Sequence, residues 1–250
     1  MKKYWYRRIL IMALVFFVSV GGSYLLIEQK KDAMRREVSA QTSEEDLVIP
    51  GGMPVGIYMK TKGVMVLDTQ KIKGKDGAEY EPALHIVKAG DYITGFNGKD
   101  INTKNELVEA VSSFSKQKAK LDICRKGETI HVKMDMIQCE DGTKKLGIWV
   151  RDNAQGLGTI TYLDSDSHFG ALGHGIHDID TGELLNISDG TLYLTSVKEI
   201  QKGVNGTPGG MEGIIVYNNY NVLGKIKKNT EAGIFGTIDR VDVLFANQTP

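Results

Sequence analysis

The chain has 250 residues, room for one or two domains once any targeting segment is set aside. Its 31 basic and 31 acidic residues cancel, so no net field argues for a nucleic-acid partner, while membrane and protein partners stay open. The 29 glycines against 5 prolines, with little long helical periodicity, predict a protein of strands and turns.

The first feature in chain order is "ILIMALVFFVSVGGSYLLI", an uncharged stretch from Ile9 to Ile27. At about 1.5 Å of rise per residue, such a stretch just crosses a hydrocarbon core of roughly 30 Å. Lys2, Lys3, Arg7 and Arg8 precede it, and Tyr4, Trp5, Tyr6 and Tyr24 suit the two interfaces. Residues 1–28 therefore predict an N-terminal transmembrane helix. Lys30, Lys31, Arg35 and Arg36 follow the stretch, so orientation rests on the short basic leader, which puts the N-terminus inside and the bulk of the chain outside. A cleaved signal peptide is the alternative reading, but its cleavage-like "VSA" at Val38–Ala40 lies well past the apolar run. Residues 29–46 read as a polar linker.

Residues 47–140 predict an α+β domain. "VIPGGMPVGIYMK" runs from a Gly/Pro loop into a strand, "GVMVLDT" (63–69) is a second, and "GDYITGFNGKDI" (90–101) holds a third with an Asn97-Gly98 hairpin turn. Residues 103–114 read as a helix. Thr103 and Glu106 form a capping box, and Leu107, Ala110, Val111 and Phe114 share a face. Two strands follow within 120–136, turning at Arg125–Glu128. The partner opposite Cys124 then falls near Thr129, so Cys124 and Cys139 are predicted to stay unbridged.

"AGDYITGFNGKDINTKNELVEAV" resembles the core of a PDZ domain. The resemblance implies that "PVGI" (54–57) takes the place of the carboxylate loop, with Val55, Gly56 and Ile57 holding a peptide terminus and Ile57–Lys60 as the receiving edge. Gly56 fits because backbone and ligand must approach closely there. Pro54 and Val55 depart from the commonest loop, which leaves an internal or intramolecular segment open as the ligand. Leu107 and Val111 could face the groove, but at helical spacing they read as core.

From about Leu146 onward, short apolar runs alternate with Gly and Asp/Asn turns, which predicts an all-β barrel or sandwich. Within it, "FGALGHGIHDIDTG" (169–182) gathers two histidines, two aspartates and four glycines. A metal loop of His168, His174 and His177 with Asp164, Asp166, Asp178 and Asp180 is one reading, yet H-x5-H-x2-H fits no closed zinc pattern, and no metal is expected. A glycine-rich turn with a surface histidine is the default for a lone histidine.

This stretch, after "LGTITYLDSDSH" and the PDZ-like segment, resembles the stage IV sporulation protein B (SpoIVB) serine peptidases, membrane-anchored and trypsin-like enzymes of spore-forming bacteria. The resemblance implies that His174 is the general base and that no cofactor is needed, while His168 and His177 read as solvated turn residues and the nearby aspartates as turn formers. It implies an endopeptidase facing the space outside the cytoplasmic membrane. There it would cleave a regulator of an intramembrane protease to activate a late mother-cell sigma factor. Its PDZ domain would control self-cleavage and substrate choice. Partners are then protein substrates and its own chain through the PDZ domain, the membrane through the helix, and no nucleic acid.

A serine peptidase also needs a nucleophile in a turn of backbone donors. Ser188 and Ser196 lie in no such turn, and "NGTPGGMEG" (205–213) has no serine. The expected fold is therefore an N-terminal transmembrane helix, an α+β PDZ domain (47–140) and a partial all-β trypsin-like peptidase domain (141–250). That last part would carry the base without its serine and aspartate, which the resemblance places downstream. The competing expectation is a non-catalytic tethered PDZ adaptor with a degenerate barrel.

Overall fold

The computed structural model describes Trp5 and residues 47–246. The apolar stretch Ile9–Ile27 and the linker 29–46 lie outside these residues, and no described helix is long and apolar enough to cross a membrane. Residues from Ile49 onward belong to one compact unit, separate from Met1–Val48.

In chain order its main elements are β1 (Pro54–Thr69), β2 (Tyr92–Phe96), α1 (Lys104–Ser113), β3 (Lys118–Arg125), β4 (Glu128–Asp135), β5 (Ile148–Asp164), β6 (His168–Ala171), β7 (Ile187–Tyr193), β8 (Thr195–Gln201), β9 (Gly210–Ile215), β10 (Val222–Thr230), β11 (Gly233–Ile238) and α2 (Val241–Phe245). Two of these, β1 and β5, are long enough to serve two sheets at once. Over their barrel halves, Pro54–Lys60 pairs with Asn153–Thr159. From there the ladder runs β5–β6–β11–β10–β7 and returns to β1, so every edge is used and an antiparallel six-stranded barrel closes. Val55, Ile57, Met59, Ile160, Phe169, Leu192, Leu223 and Ile234 fill its interior.

Over their other halves, Met65–Thr69 pairs with Ile148–Arg151, and the sheet continues β5–β1–β2–β3–β4. Helix α1 covers it. The predicted capping box forms, with the Thr103 hydroxyl accepting from the Glu106 amide, and Leu107, Ala110 and Val111 are buried. They join Val64, Val66, Ile93, Phe96, Leu121 and Ile123 in a second core. Successive residues of a strand face opposite sides, which is why Met65 packs into the barrel core while Val64 and Val66 pack into the other. The crossing point is Gly63, at φ +91°, where an added Cβ would sit 2.6 Å from the Ile93 carbonyl oxygen.

Three expectations change here. The two predicted strands within 54–69 are one continuous strand. The boundary at 140/141 does not divide the fold, because Pro54–Lys60 belongs to the barrel and Leu146–Arg151 to the PDZ-like lobe. The segment "PVGI" is not a carboxylate loop. Val55, Gly56 and Ile57 are buried, with Gly158, Leu157 and Gly156 on one side, and Tyr193 and Leu192 lie opposite Gly56 and Ile57 on the other. A strand with both edges paired has none to offer a peptide. The Asn97-Gly98 turn forms as predicted, and Cys124 pairs in register with Thr129 while both thiols stay free.

Candidate active site and peptide cleft

The "ALGHGI" segment leaves the barrel at Ala171, the end of β6. Leu172 then takes φ +74°, an unusual conformation for leucine that costs on the order of 1–3 kcal/mol. Such strain persists only where the surroundings enforce it, and here they do. The loop is held on three sides. The Gly175 amide donates to the Glu231 carbonyl (3.1 Å), and a Cβ on Gly175 would lie 2.6 Å from the Thr230 carbonyl oxygen, so the β10–β11 turn presses directly on the loop. From β10, Asn229 Oδ1 accepts from the Ile176 amide (2.9 Å), while its Nδ2 donates to the carbonyls of Ile176 (2.8 Å) and Leu185 (3.0 Å). From β5, Arg151 donates to Asp178 (2.5 Å) and Asp180 (2.9 Å).

His174 itself is exposed, and its Nδ1 lies 2.9 Å from the Gly175 carbonyl oxygen. A carbonyl only accepts, so Nδ1 carries the proton in this contact, and the neutral ring keeps its lone pair on Nε2. That is the tautomer a general base needs.

Of the other residues in this region, His177 places Nδ1 3.2 Å from the same carbonyl and Nε2 3.2 Å from Glu231. His168 pairs with Asp164 at the start of β6 (3.1 Å). Asp178 is buried in the turn, where its Oδ1 accepts from the amides of both Asp180 and Thr181 while Oδ2 takes the guanidinium. Among the described residues, no group of three His, Cys, Asp or Glu side chains comes together as a metal site. Ser188 donates to the Thr61 carbonyl (3.1 Å) on β1, and Ser196 lies on β8. Beneath the loop, the Tyr92 hydroxyl accepts from the Asn186 amide (3.1 Å), and burial, with help from nearby Asp178 and Glu183, raises its pKa above the ordinary phenol value.

The open sheet edge of the PDZ-like lobe lies elsewhere than expected. A cleft of about 320 Å³ separates α1 from Ile148–Val150 of β5, lined by Leu107, Val108, Val111, Leu146, Ile148 and Val150. The Gln70 amide bonds to the Gly147 carbonyl (2.9 Å), a contact that flanks a non-hydrogen-bonded Thr69–Ile148 pair. The N–H and C=O of Ile148 therefore point away from β1 and towards the cleft. At its mouth stands "KKLGI", with Gly147 at φ +67° between Leu146 and Ile148, and with Lys144 and Lys145 beside them. The signal was in the sequence: "LGI" repeats the apolar-Gly-apolar pattern of "VGI". Arg151 and Asn229 gave no such signal, since each reads as an ordinary polar residue of a strand or turn.

Residues 142–249 match the family described as SpoIVB peptidase S55, which includes the histidine loop and the cleft-forming "KKLGI". The sequence resemblance to that family is thereby shown for this segment. Crystal structures of PDZ domains from the SdrC-like proteins of Listeria monocytogenes and Listeria innocua are similar at 22% identity. They cover 36% of this chain and 87% and 93% of theirs, with TM-scores of 0.29 and 0.30. No curated protein matches the chain.

Proposed function

We propose that the chain carries the general-base half of a membrane-anchored serine endopeptidase of sporulation signalling, in which His174 moves the proton. One observation carries the reading: within the segment that matches the peptidase family, an exposed imidazole has its Nδ1 committed to the Gly175 carbonyl and its loop fixed from three sides. Nε2 then accepts the proton of a serine hydroxyl as that oxygen attacks the scissile carbonyl, and returns it to the leaving amine. By resemblance, the serine and an aspartate lie downstream in sequence, the apolar N-terminal stretch anchors the chain, and the substrate is a regulator of an intramembrane protease.

The peptide cleft between α1 and β5 suits an extended segment added as a strand, with apolar side chains set between Val108 and Ile148 and an anionic end near Lys144 and Lys145. In this reading it selects substrates and the chain's own segments for cleavage.

The test is His174→Ala in the protein expressed from its complete reading frame. Self-processing, followed by mass spectrometry, should fall by at least about a thousandfold while far-ultraviolet circular dichroism stays unchanged. Processing at the original rate would leave only a tethered binding module.

A further inference from the structure

β5 lines the peptide cleft and, one residue later, touches the histidine loop. Ile148 and Val150 form the cleft wall, and Arg151 follows directly. Its guanidinium spans Asp178 and Asp180, at 2.5 and 2.9 Å. The Asp178 side chain is only 1% exposed, so apart from two backbone amides its charge depends on Arg151. Removing one partner of such a pair leaves a buried charge and is strongly destabilising locally. Asp152 faces the other way, its carboxylate accepting the Lys104 amide at the start of α1 (2.8 Å). The two walls of the cleft are thus latched together at the residue beside the one that grips the loop. Register shifts lie on both sides of Arg151, between Trp149 and Val150 and between Arg151 and Asn153. Such irregularities are where a strand re-aims its side chains.

We propose that Arg151 is a positioning residue for the His174 loop and that it couples that loop to occupancy of the cleft. A peptide paired along Ile148–Val150 must settle the short segment between the two irregularities, and the guanidinium moves with it. The proposal rests on His174 as the base and on the cleft as the peptide site. It adds the link between them, which linkage makes reciprocal: a change at Asp178 alters peptide affinity, and a bound peptide alters the loop.

The test uses the whole protein, as wild type, Arg151→Gln and Arg151→Lys, with and without an eight-residue peptide ending in valine with a free carboxylate. Two signals are read: amide hydrogen exchange at Asp180, Thr181 and Gly182, and the 15N shifts of the His174 ring, which report its tautomer. In Arg151→Gln, exchange at these amides should rise about tenfold or more and the Nδ1–H population should fall, while amides of Ile93 and Leu192 in the two cores keep their protection. Arg151→Lys, which retains charge but not the fork, should restore part of both signals. Peptide should change loop exchange in wild type and leave it unchanged in Arg151→Gln. If Arg151→Gln does not fold, Asp180→Asn, which removes only the exposed bond, replaces it with a smaller change of the same sign. Unaltered loop exchange and tautomer in the variants would overturn Arg151 as a positioning residue. Peptide bound without any change in the loop would overturn the coupling. Absence of peptide binding would sink the cleft reading and the coupling together, while the comparison without peptide still decides the role of Arg151.

Discussion

Asn229 shows how one side chain substitutes for a missing strand partner. Its amide accepts from one backbone group of the histidine loop and donates to two, so Ile176 and Leu185 are bonded much as they would be within a sheet. Each such bond contributes roughly 1 kcal/mol net, and the groups left behind are partly buried. Asn229→Ala should therefore cost roughly 2–3 kcal/mol in urea unfolding. A loss below about 0.5 kcal/mol, the usual range for a surface change, would show that the loop is held without it. Little of this was legible in "KKNTEAG", where an asparagine before a turn reads as a turn former. The reading of His174 comes from the resemblance of "ALGHGI" to the peptidase family and not from local chemistry, since a lone histidine between glycines reads as a surface turn.

At the scale of elements, the cleft depends on which of two similar segments reaches an open edge. "PVGI" and "KLGI" share the apolar-Gly-apolar pattern, and local chemistry does not separate them. Topology does: the first lies within a closed barrel, the second beside α1 with an edge that is unpaired among the described residues. The helix itself was legible down to its capping box, because cap and amphipathic face are local signals. Val108, on the same helix, is 56% exposed while lining the cleft, which separates binding from folding. Val108→Lys should weaken binding of the valine-terminated peptide about tenfold or more, measured by fluorescence anisotropy, with the midpoint of thermal unfolding held within about 2 °C. Unchanged affinity would move the peptide site off this cleft.

The whole molecule is organised by two long strands, each with one half in the barrel and the other in the PDZ-like sheet. The sequence texture changes from about Leu146, and a division into consecutive domains follows naturally from it. The exchange of Pro54–Lys60 for Leu146–Arg151 is a pairing between residues about ninety positions apart, which no local pattern reports. The barrel was legible as a class, since its strands alternate and turn on glycine, but its closure through β1 was not. Because of this exchange, a single strand connects the cleft to the loop that carries His174.

The central claim, an imidazole at position 174 that activates a serine, is tested most directly with a fluorophosphonate. The reagent phosphonylates a serine oxygen, a P–O bond forming as the P–F bond breaks and fluoride leaves, where a base draws off the hydroxyl proton. The complete protein should gain the mass of one adduct, and His174→Gln should gain none over the same interval. Equal labelling of the two proteins, or no labelling of the wild type, would contradict the account.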